Sequence, residues 1–356
     1  MSNNEAVAPP LAGHGEAQLP NVIVDTYNEE LRDAAGFLGD RASGGAFRAL
    51  LENWRETLRR NGEDPFGDTP TEEISKKKLD RVLMEGDPEA AGVVQGAIED
   101  FAREMVGVLR RFLRLKRWKD TERIAVGGGL RASRIGELAI GRASVILKSE
   151  GVDVGLVPIA NHPDEAGLLG AVQLAPSWVF SGHDSILAVD IGGSNIRVGT
   201  IGLNLKRARD LSKAEIVASE LWRHADDKGV SREGAVKRLV EMLEAQVKAA
   251  SKAKLRLAPF VGIACPGIIE EDGSIVRGGQ NLPGNWESKS FHLPQRLQEA
   301  LPEIDGHTPA VLIHNDAVVQ GLSEVPRMQD VERWGVLTIG TGLGNARFTN
   351  RSRKEE

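Results

Sequence analysis

The sequence predicts an α/β protein built as two units. Three observations carry that reading. The chain has 356 residues, and at ~100–200 residues per domain two units are the natural division. From Arg123 onward, short apolar runs alternate with helical patterns, as strands and crossover helices of a parallel sheet do. From Ile186 onward, apolar runs follow one another with only glycine turns between them, as antiparallel strands do.

The elements follow in order. Residues 1–20 are rich in Pro, Gly and Ala without apolar periodicity and read as a flexible lead-in. From Asn21 to Trp118 the pattern is helical, with helices at Ala46–Arg60, Thr71–Met84 and Pro88–Arg114. In the last of these, Ile98, Phe101, Ala102, Met105, Val108, Leu109 and Phe112 form one apolar stripe, and Asp87-Pro88 supplies an N-cap and an N1 proline. A strand at RIAV, a glycine turn, a helix at Ala132–Glu150, a strand at Val154–Ala160 and a helical stretch around Gly167–Leu174 make the parallel part. Ala175–Asp184 is a turn-rich connection. The runs ILAVD, NIRVGTIG and AEIVASELW are the antiparallel strands. A helix at Ser231–Ser251, the strand PFVGIAC, helices near Pro294–Ala300 and Asp316–Ser323, and the strand GVLTIGTG complete the chain.

Composition excludes several functional classes. Hydrophobic residues at 41% and charged residues at 27% are those of a globular protein, and a net charge of −6 gives no general attraction to nucleic acid or anionic membranes. The basic clusters, Arg110–Lys119 and Arg347/Arg351/Arg353/Lys354, are local and read as solvated faces. The single cysteine, Cys265, supports neither a disulfide framework nor a cysteine-rich zinc site. With no signal-peptide pattern and no run of ~18–20 apolar residues, a cytoplasmic setting is expected.

The 40 glycines gather at places where chemistry is expected. Asp190-Ile191-Gly192-Gly193-Ser194-Asn195 lies between two apolar strands. An acid at a strand end followed by Gly-Gly suits a hairpin whose N–H groups approach phosphate while the carboxylate supports hydrated magnesium; an ordinary glycine turn is the alternative. Gly340-Thr341-Gly342-Leu343-Gly344-Asn345 has the same form after another apolar strand, with the Thr341 hydroxyl as a further donor, and again reads otherwise as a plain hairpin. His314-Asn315-Asp316-Ala317 ends a strand and opens a helix, so Asp316 is either a proton acceptor for a substrate hydroxyl or an N-cap. Pro266-Gly267 ends a further strand after Cys265, a residue type often merely buried. The loop Asn281-Leu282-Pro283-Gly284-Asn285-Trp286 offers amides able to donate to and accept from a polyhydroxylated ligand, or is structural. Finally, Val126-Gly127-Gly128-Gly129-Leu130-Arg131-Ala132 fits a dinucleotide turn, although no acid ends the next strand, where Ala160-Asn161 stands.

Together these segments resemble the ROK family of sugar kinases, in the fold superfamily that also holds hexokinase and actin. ILAVDIGGSNIRVGTI is similar to its first phosphate motif, NLPGNW to its sugar loop, HNDA to its catalytic motif and LTIGTGLG to its second phosphate motif. LMEGDPEAAGVVQGAIEDFAREMVGVLRRFL with RIAVGGGL resembles the helix and adenosine motif that members carry near their C-terminus, and DEAGLLGAVQLA their terminal helix, yet here both precede the first phosphate motif. That order implies a circular permutation. After GTGLG the family has a Glu-Xaa-Gly-His segment and a zinc loop; here ARFTNRSRKEE follows, so a structural zinc is not expected. His14-Gly15-Glu16 is a candidate substitute, or else part of a disordered tail.

The resemblance implies a two-lobed, circularly permuted actin-like ATPase fold with ribonuclease H-like topology, binding ATP, magnesium and a sugar. It implies a larger lobe of residues 21–162 completed by 318–349, a smaller lobe of 163–317, and a tail of 350–356. It assigns the general base to Asp316 and substrate contacts to Asn315, Asn281, Gly284, Asn285, Pro266 and Gly267. Asp190, Gly192, Gly193, Ser194, Asn195, Gly340, Thr341, Gly342, Gly344 and Gly127–Gly129 are assigned to the nucleotide, with Asp190 on magnesium through water. The expected reaction is phosphoryl transfer from ATP to a sugar hydroxyl, and a homodimer is compatible with it. The missing Glu-Xaa-Gly-His segment motivates the other reading, a non-catalytic sugar- or nucleotide-sensing protein.

Overall fold

Apolar periodicity decides most of the elements in a computed structural model that describes residues 11–34, 36–340 and 342–351. In chain order these are β1 (Val22–Tyr27), β2 (Arg32–Asp33), β3 (Gly36–Phe37), α1 (Gly44–Arg60), α2 (Lys76–Glu85), α3 (Pro88–Leu113), β4 (Arg123–Gly127), α4 (Arg134–Ser149), β5 (Gly155–Pro158), α5 (Pro163–Gly170) and β6 (Ser185–Ile191). They continue with β7 (Ile196–Gly202), β8 (Glu215–Trp222), α6 (Arg232–Lys252), β9 (Leu257–Cys265), β10 (Ile268–Ile269), β11 (Ile275–Arg277), α7 (Leu293–Ala300), β12 (Ala310–Asn315), α8 (Asp316–Leu322), β13 (Arg333–Ile339) and β14 (Leu343–Asn350). The protein is therefore mixed α/β with mixed sheets.

The described residues divide into two contact units. The first runs through 11–27, 165–330 and 348–351, the second through 28–164 and 331–347. These bounds differ from the sequence division, which set 21–27 and 318–330 with the other lobe. The physical reason is packing: α8 lies on β9 and β12, and β1 packs against α8.

The first unit is organised by a sheet of order β12-β9-β6-β7-β8. β6, β9 and β12 run parallel, whereas β6-β7-β8 is the antiparallel meander that the glycine turns predict. Every residue of β6 is buried, as a central strand covered on both faces requires. β8 alternates exposed and half-buried residues because it is the sheet's edge.

In the second unit β14, β13, β4 and β5 form one sheet, with β13, β4 and β5 parallel. The apolar stripe of α3 is buried as its spacing demands and packs on α1 and α4. Asp87 caps that helix, its carboxylate accepting from the N–H groups of Glu89 and Ala90 at 3.0 and 3.1 Å.

Two strands correct the sequence reading. Val22–Tyr27 is β1, not the start of a helical stretch, and residues 343–350 form β14 rather than a hairpin and tail. In the first unit Arg351 N–H donates to the Asn21 carbonyl at 3.1 Å, and Thr349 Oγ1 to Asp25 at 2.8 Å. In the second, Asn28 N–H donates to the Asn345 carbonyl at 2.8 Å. Each segment's alternation is short and its partner lies at the other end of the sequence, so neither was evident locally.

Candidate active site

In the first unit the register brings three strand ends together. Asp190 on β6 is level with Ala264 on β9, and Cys265 on β9 is level with Asn315 on β12. The carboxyl ends of three adjacent parallel strands thus present Asp190, Pro266-Gly267 and Asn315-Asp316 side by side. In open α/β sheets that edge is where ligands bind.

Asp190 is 6% exposed. Its Oδ2 lies 3.8 Å from Arg197 Nη1 on β7. Gly167 of α5 backs the same carboxylate so closely that a Cβ there would sit 2.5 Å from the Asp190 Cγ. Beyond Asp190 the hairpin closes through the Gly192 N–H to the Asn195 carbonyl at 2.8 Å, and its far side is pinned by His224 Nε2, 2.8 Å from the Gly192 carbonyl, and by the Ala225 N–H to the Ser194 carbonyl at 3.2 Å. Neither Gly192 nor Gly193 has a left-handed φ. Gly193 is needed for proximity: a Cβ there would come within 3.3 Å of the Asn281 Cβ, so the amide loop lies against the hairpin.

Asn315 and Asp316 divide the roles left open at the start of α8. Asn315 is fully buried, and its Oδ1 caps the helix by accepting from the Ala317 and Val318 N–H groups at 3.0 and 3.3 Å. Its Nδ2 donates to the Gly267 carbonyl at 2.9 Å, tying β12 to the turn after β9. Asp316 also accepts from the Ala317 N–H, at 2.9 Å, but is not the capping residue. Burial pushes its carboxyl up to about 6 despite the hydrogen bonds from Ala317 and Asn315. A carboxylate in that range can hold or take a proton near neutral pH. Cys265 is buried beneath, its thiol raised by desolvation and then by Asp316 and Asp190, so it stays a protonated packing residue.

The loop 281–286 is split in character. Asn281 is exposed beside the Gly193 turn, and its amide has no hydrogen-bond partner among the described residues. Asn285 Oδ1 accepts from the Glu287 N–H at 3.0 Å and its carbonyl from Arg232 at 2.7 Å. Gly284 has φ +79°, and a Cβ there would meet the Arg232 backbone at 2.8 Å. Trp286 is buried, donates to the Pro283 carbonyl at 2.8 Å and packs on Phe291, so the indole supports the loop and offers no ligand platform.

Residues 13–16 join this unit. The Gly15 N–H donates to the Ile313 carbonyl of β12 at 3.0 Å, and the ring of His314 meets the Glu16 carbonyl at 3.3 Å. Burial lowers His314 to about 4, so it is neutral at physiological pH, packed edge-on against Tyr27 at 5.3 Å. His14 is half-buried beside Gly273, and desolvation lowers its pKa against the pull of Asp272. His14-Gly15-Glu16 is thus seated against β12, the strand that leads into Asp316.

The second unit builds a separate turn cluster from backbone. Thr338 on β13 is level with Gly127 on β4, so Gly127–Gly129 and Gly340 follow the carboxyl ends of neighbouring parallel strands. Gly128 has φ +86°, and a Cβ would lie 2.3 Å from the Ile339 carbonyl oxygen; only glycine fits. The Gly340 N–H donates to the Gly342 carbonyl at 2.9 Å, and the Gly44 N–H, at the start of α1, to the Gly340 carbonyl at 3.0 Å. Lys76 Nζ donates to the Gly129 carbonyl at 2.6 Å. Thr341 lies outside the described residues, and Gly344 belongs to β14.

The dinucleotide alternative for residues 126–132 fails on this geometry. That motif needs free N–H groups at the following helix N-terminus. Here Asp80 accepts from the Arg134 and Ile135 N–H groups, each at 3.1 Å, and Ser133 Oγ from Gly136 at 3.3 Å. Gly167, His224, Gly44 and Lys76 carried no local signal, because each reaches its partner from a distant segment; Arg197 faces Asp190 across the β6–β7 hairpin, a pairing that the strand register sets.

No family model matches the sequence, and no curated protein sequence does. Among solved structures the chain is similar to the ROK hexokinase of Thermus thermophilus, at 21% identity over 45% of each chain with a TM-score of 0.32. It is similar to a ROK family glucokinase of Streptomyces griseus, solved with glucose and AMPPNP, at 18% identity over 47% of this chain and 46% of that one, with a TM-score of 0.34. A third is an exopolyphosphatase of Cytophaga hutchinsonii, at 16% identity over 70% of this chain and 77% of that one, with a TM-score of 0.27. The chain thus spans about half the length of the sugar-kinase structures it matches. No described helix is long and apolar enough to cross a membrane.

Proposed function

We propose that this chain is an ATP-dependent sugar kinase of circularly permuted ROK type, with Asp316 as the general base. The observation that carries the reading is the convergence, on three parallel strand ends, of a buried Asp190 before a Gly-Gly hairpin, the Asn281 amide against that hairpin, and an Asp316 carboxyl raised to about 6. The permutation is supported by Asn21 and Arg351, which flank β1 and β14 and are hydrogen-bonded neighbours although far apart in sequence.

The residues fit the cofactor. Magnesium takes one or two carboxylates and keeps several waters, a donor set that the buried Asp190 carboxylate at the strand end suits. Gly192–Asn195 would hold phosphate oxygens in the first unit; in the second, the turns at Gly340 and Gly127–Gly129 present backbone groups of the kind a nucleotide takes. Bound ATP with its magnesium supplies the transferable phosphoryl group.

This chain's own residues then do three things. Asp316 would take the proton of the acceptor hydroxyl as that oxygen bonds to phosphorus, while the bond from the transferred phosphoryl group to ADP, the leaving group, is broken. Asn315, committed to the helix cap and to Gly267, positions Asp316 and the Pro266-Gly267 turn. Asn281 and Asn285 present the loop that orients the sugar, and His14-Gly15-Glu16, held against β12, is the candidate for a further polar contact.

A coupled ADP-release assay over hexoses, N-acetylhexosamines and polyols tests the reading. Sugar-dependent ADP formation is expected, and Asp316→Asn should reduce it by ~100-fold or more while nucleotide affinity is kept. Turnover that is absent across the panel, or unaltered in the variant, leaves the non-catalytic sensing protein instead.

A further inference from the structure

The basic run at the end of α3 takes no part in the proposed reaction. Arg110, Arg111 and Arg114 stand on its last turns, and Arg41 reaches the same groove from the 3₁₀ helix Leu38–Ala42. The groove encloses about 240 Å³, room for ~8 waters at the ~30 Å³ each takes in the liquid. Its floor is apolar, formed by buried Leu38 and Val108, and the space over Gly107 is open for lack of a side chain.

The charges are unequally matched. Arg41 lies 2.7 Å from Asp33, and Arg110 pairs with Glu150. The side chains of Arg111 and Arg114 have no hydrogen-bond or ion-pair partner among the described residues, and Glu104 is the acid in the groove lining. A helix C-terminus favours cations through its dipole, which accounts for basic residues on α3 but not for Arg41 arriving from another element. Gathered guanidinium groups repel one another unless an anion shares the space, and their forked donors match phosphate oxygens.

We propose that this groove of the second unit binds a small organic phosphate, a phosphomonoester on a short carbon body. Arg111 and Arg114 grip the phosphate, Arg41 and Arg110 are held in place beside it by Asp33 and Glu150, and Leu38 and Val108 face the carbon. The volume is below the ~300 Å³ at which pockets for larger ligands begin, which suits a body of a few carbons.

Titration calorimetry of the full chain with glycerol 3-phosphate tests the proposal. Saturable binding is expected, weakened about a hundredfold by the double variant Arg111→Gln/Arg114→Gln, as the loss of two charge-assisted contacts at about tenfold each predicts, and strengthened by Glu104→Gln. Inorganic phosphate should bind more weakly than the ester, and glycerol not at all. These side chains are exposed, and unchanged melting of the variants checks that folding is intact. No binding to the wild type, or equal binding to the wild type and the double variant because the anion sits at a phosphate hairpin, overturns the site. Equal affinity for inorganic phosphate and the ester overturns the carbon body.

Discussion

The two units carry glycine turns at the same place, the carboxyl ends of parallel strands, yet arm them differently. In the first unit side chains converge, Asp190, Asp316 and Asn281, and on the proposed reading they bring the chemistry. In the second the turns are almost bare, and what they present is backbone held in place by Gly44 and Lys76. A reactive group must be placed on a side chain that can change protonation, whereas a ligand that is only held can be met by amides. The same Gly-rich appearance in sequence therefore has two causes.

The largest expected effect breaks the comparison at its reactive end. Asp316→Asn should remove catalysis and still stabilise the fold at pH 7.5. The carboxyl is raised from 3.8 to about 6 in the folded protein, so the favourable contribution of its protonated form is complete below about pH 4 and lost as pH rises through 6. The shift sets an upper limit of ~3 kcal/mol on that loss. Denaturant midpoints at pH 7.5 and pH 5 should show the variant ahead at the higher pH and the gap closing at the lower. A variant less stable at both would make Asp316 a structural residue. For the wild type, the acid limb of kcat/KM should fall near pH 6.

How much of this was legible locally is uneven. The acid before Gly-Gly, the strand ends at Asp190 and Asp316, and the meander β6-β7-β8 could be read from alternation and turn residues, because their determinants are contiguous. The division of labour between Asn315 and Asp316 could not, since both residue types cap helices and only the bond to Gly267 separates them. β1 and β14 were hidden by sequence distance, and Gly167 stood in a helix with nothing to mark its contact with Asp190.

Gly167→Ala sharpens the contrast from the side-chain end. A methyl there would lie 2.5 Å from the Asp190 Cγ, so the carboxylate must shift. Activity should fall by ~10-fold or more, as for a misplacement of about 1 Å, with a stability loss of ~1–3 kcal/mol from overpacking. Steady-state kinetics against magnesium and a melting curve separate the two. Gly128→Ala probes the backbone end and should do the reverse. Its Cβ would collide with a carbonyl at 2.3 Å in a left-handed conformation, costing ~1–3 kcal/mol and raising the KM for ATP while leaving kcat nearly intact.

The smallest effect is the most diagnostic of the backbone-built turn. Lys76 anchors the Gly129 carbonyl at 2.6 Å, and its amine sits below the ordinary lysine range chiefly through desolvation, then through Arg48, with Asp164 and Asp80 opposing. The contact is near solvent, so its loss in Lys76→Met is worth only ~1 kcal/mol, about a fivefold rise in the KM for ATP. Since the lysine holds a turn and touches no reacting atom, kcat and the acid limb near pH 6 should not move, and Lys76→Arg, which keeps a donor, should recover most of the loss. A fall in kcat with an unchanged KM would instead place Lys76 among the reacting groups and end the distinction between a side-chain site in one unit and a backbone site in the other.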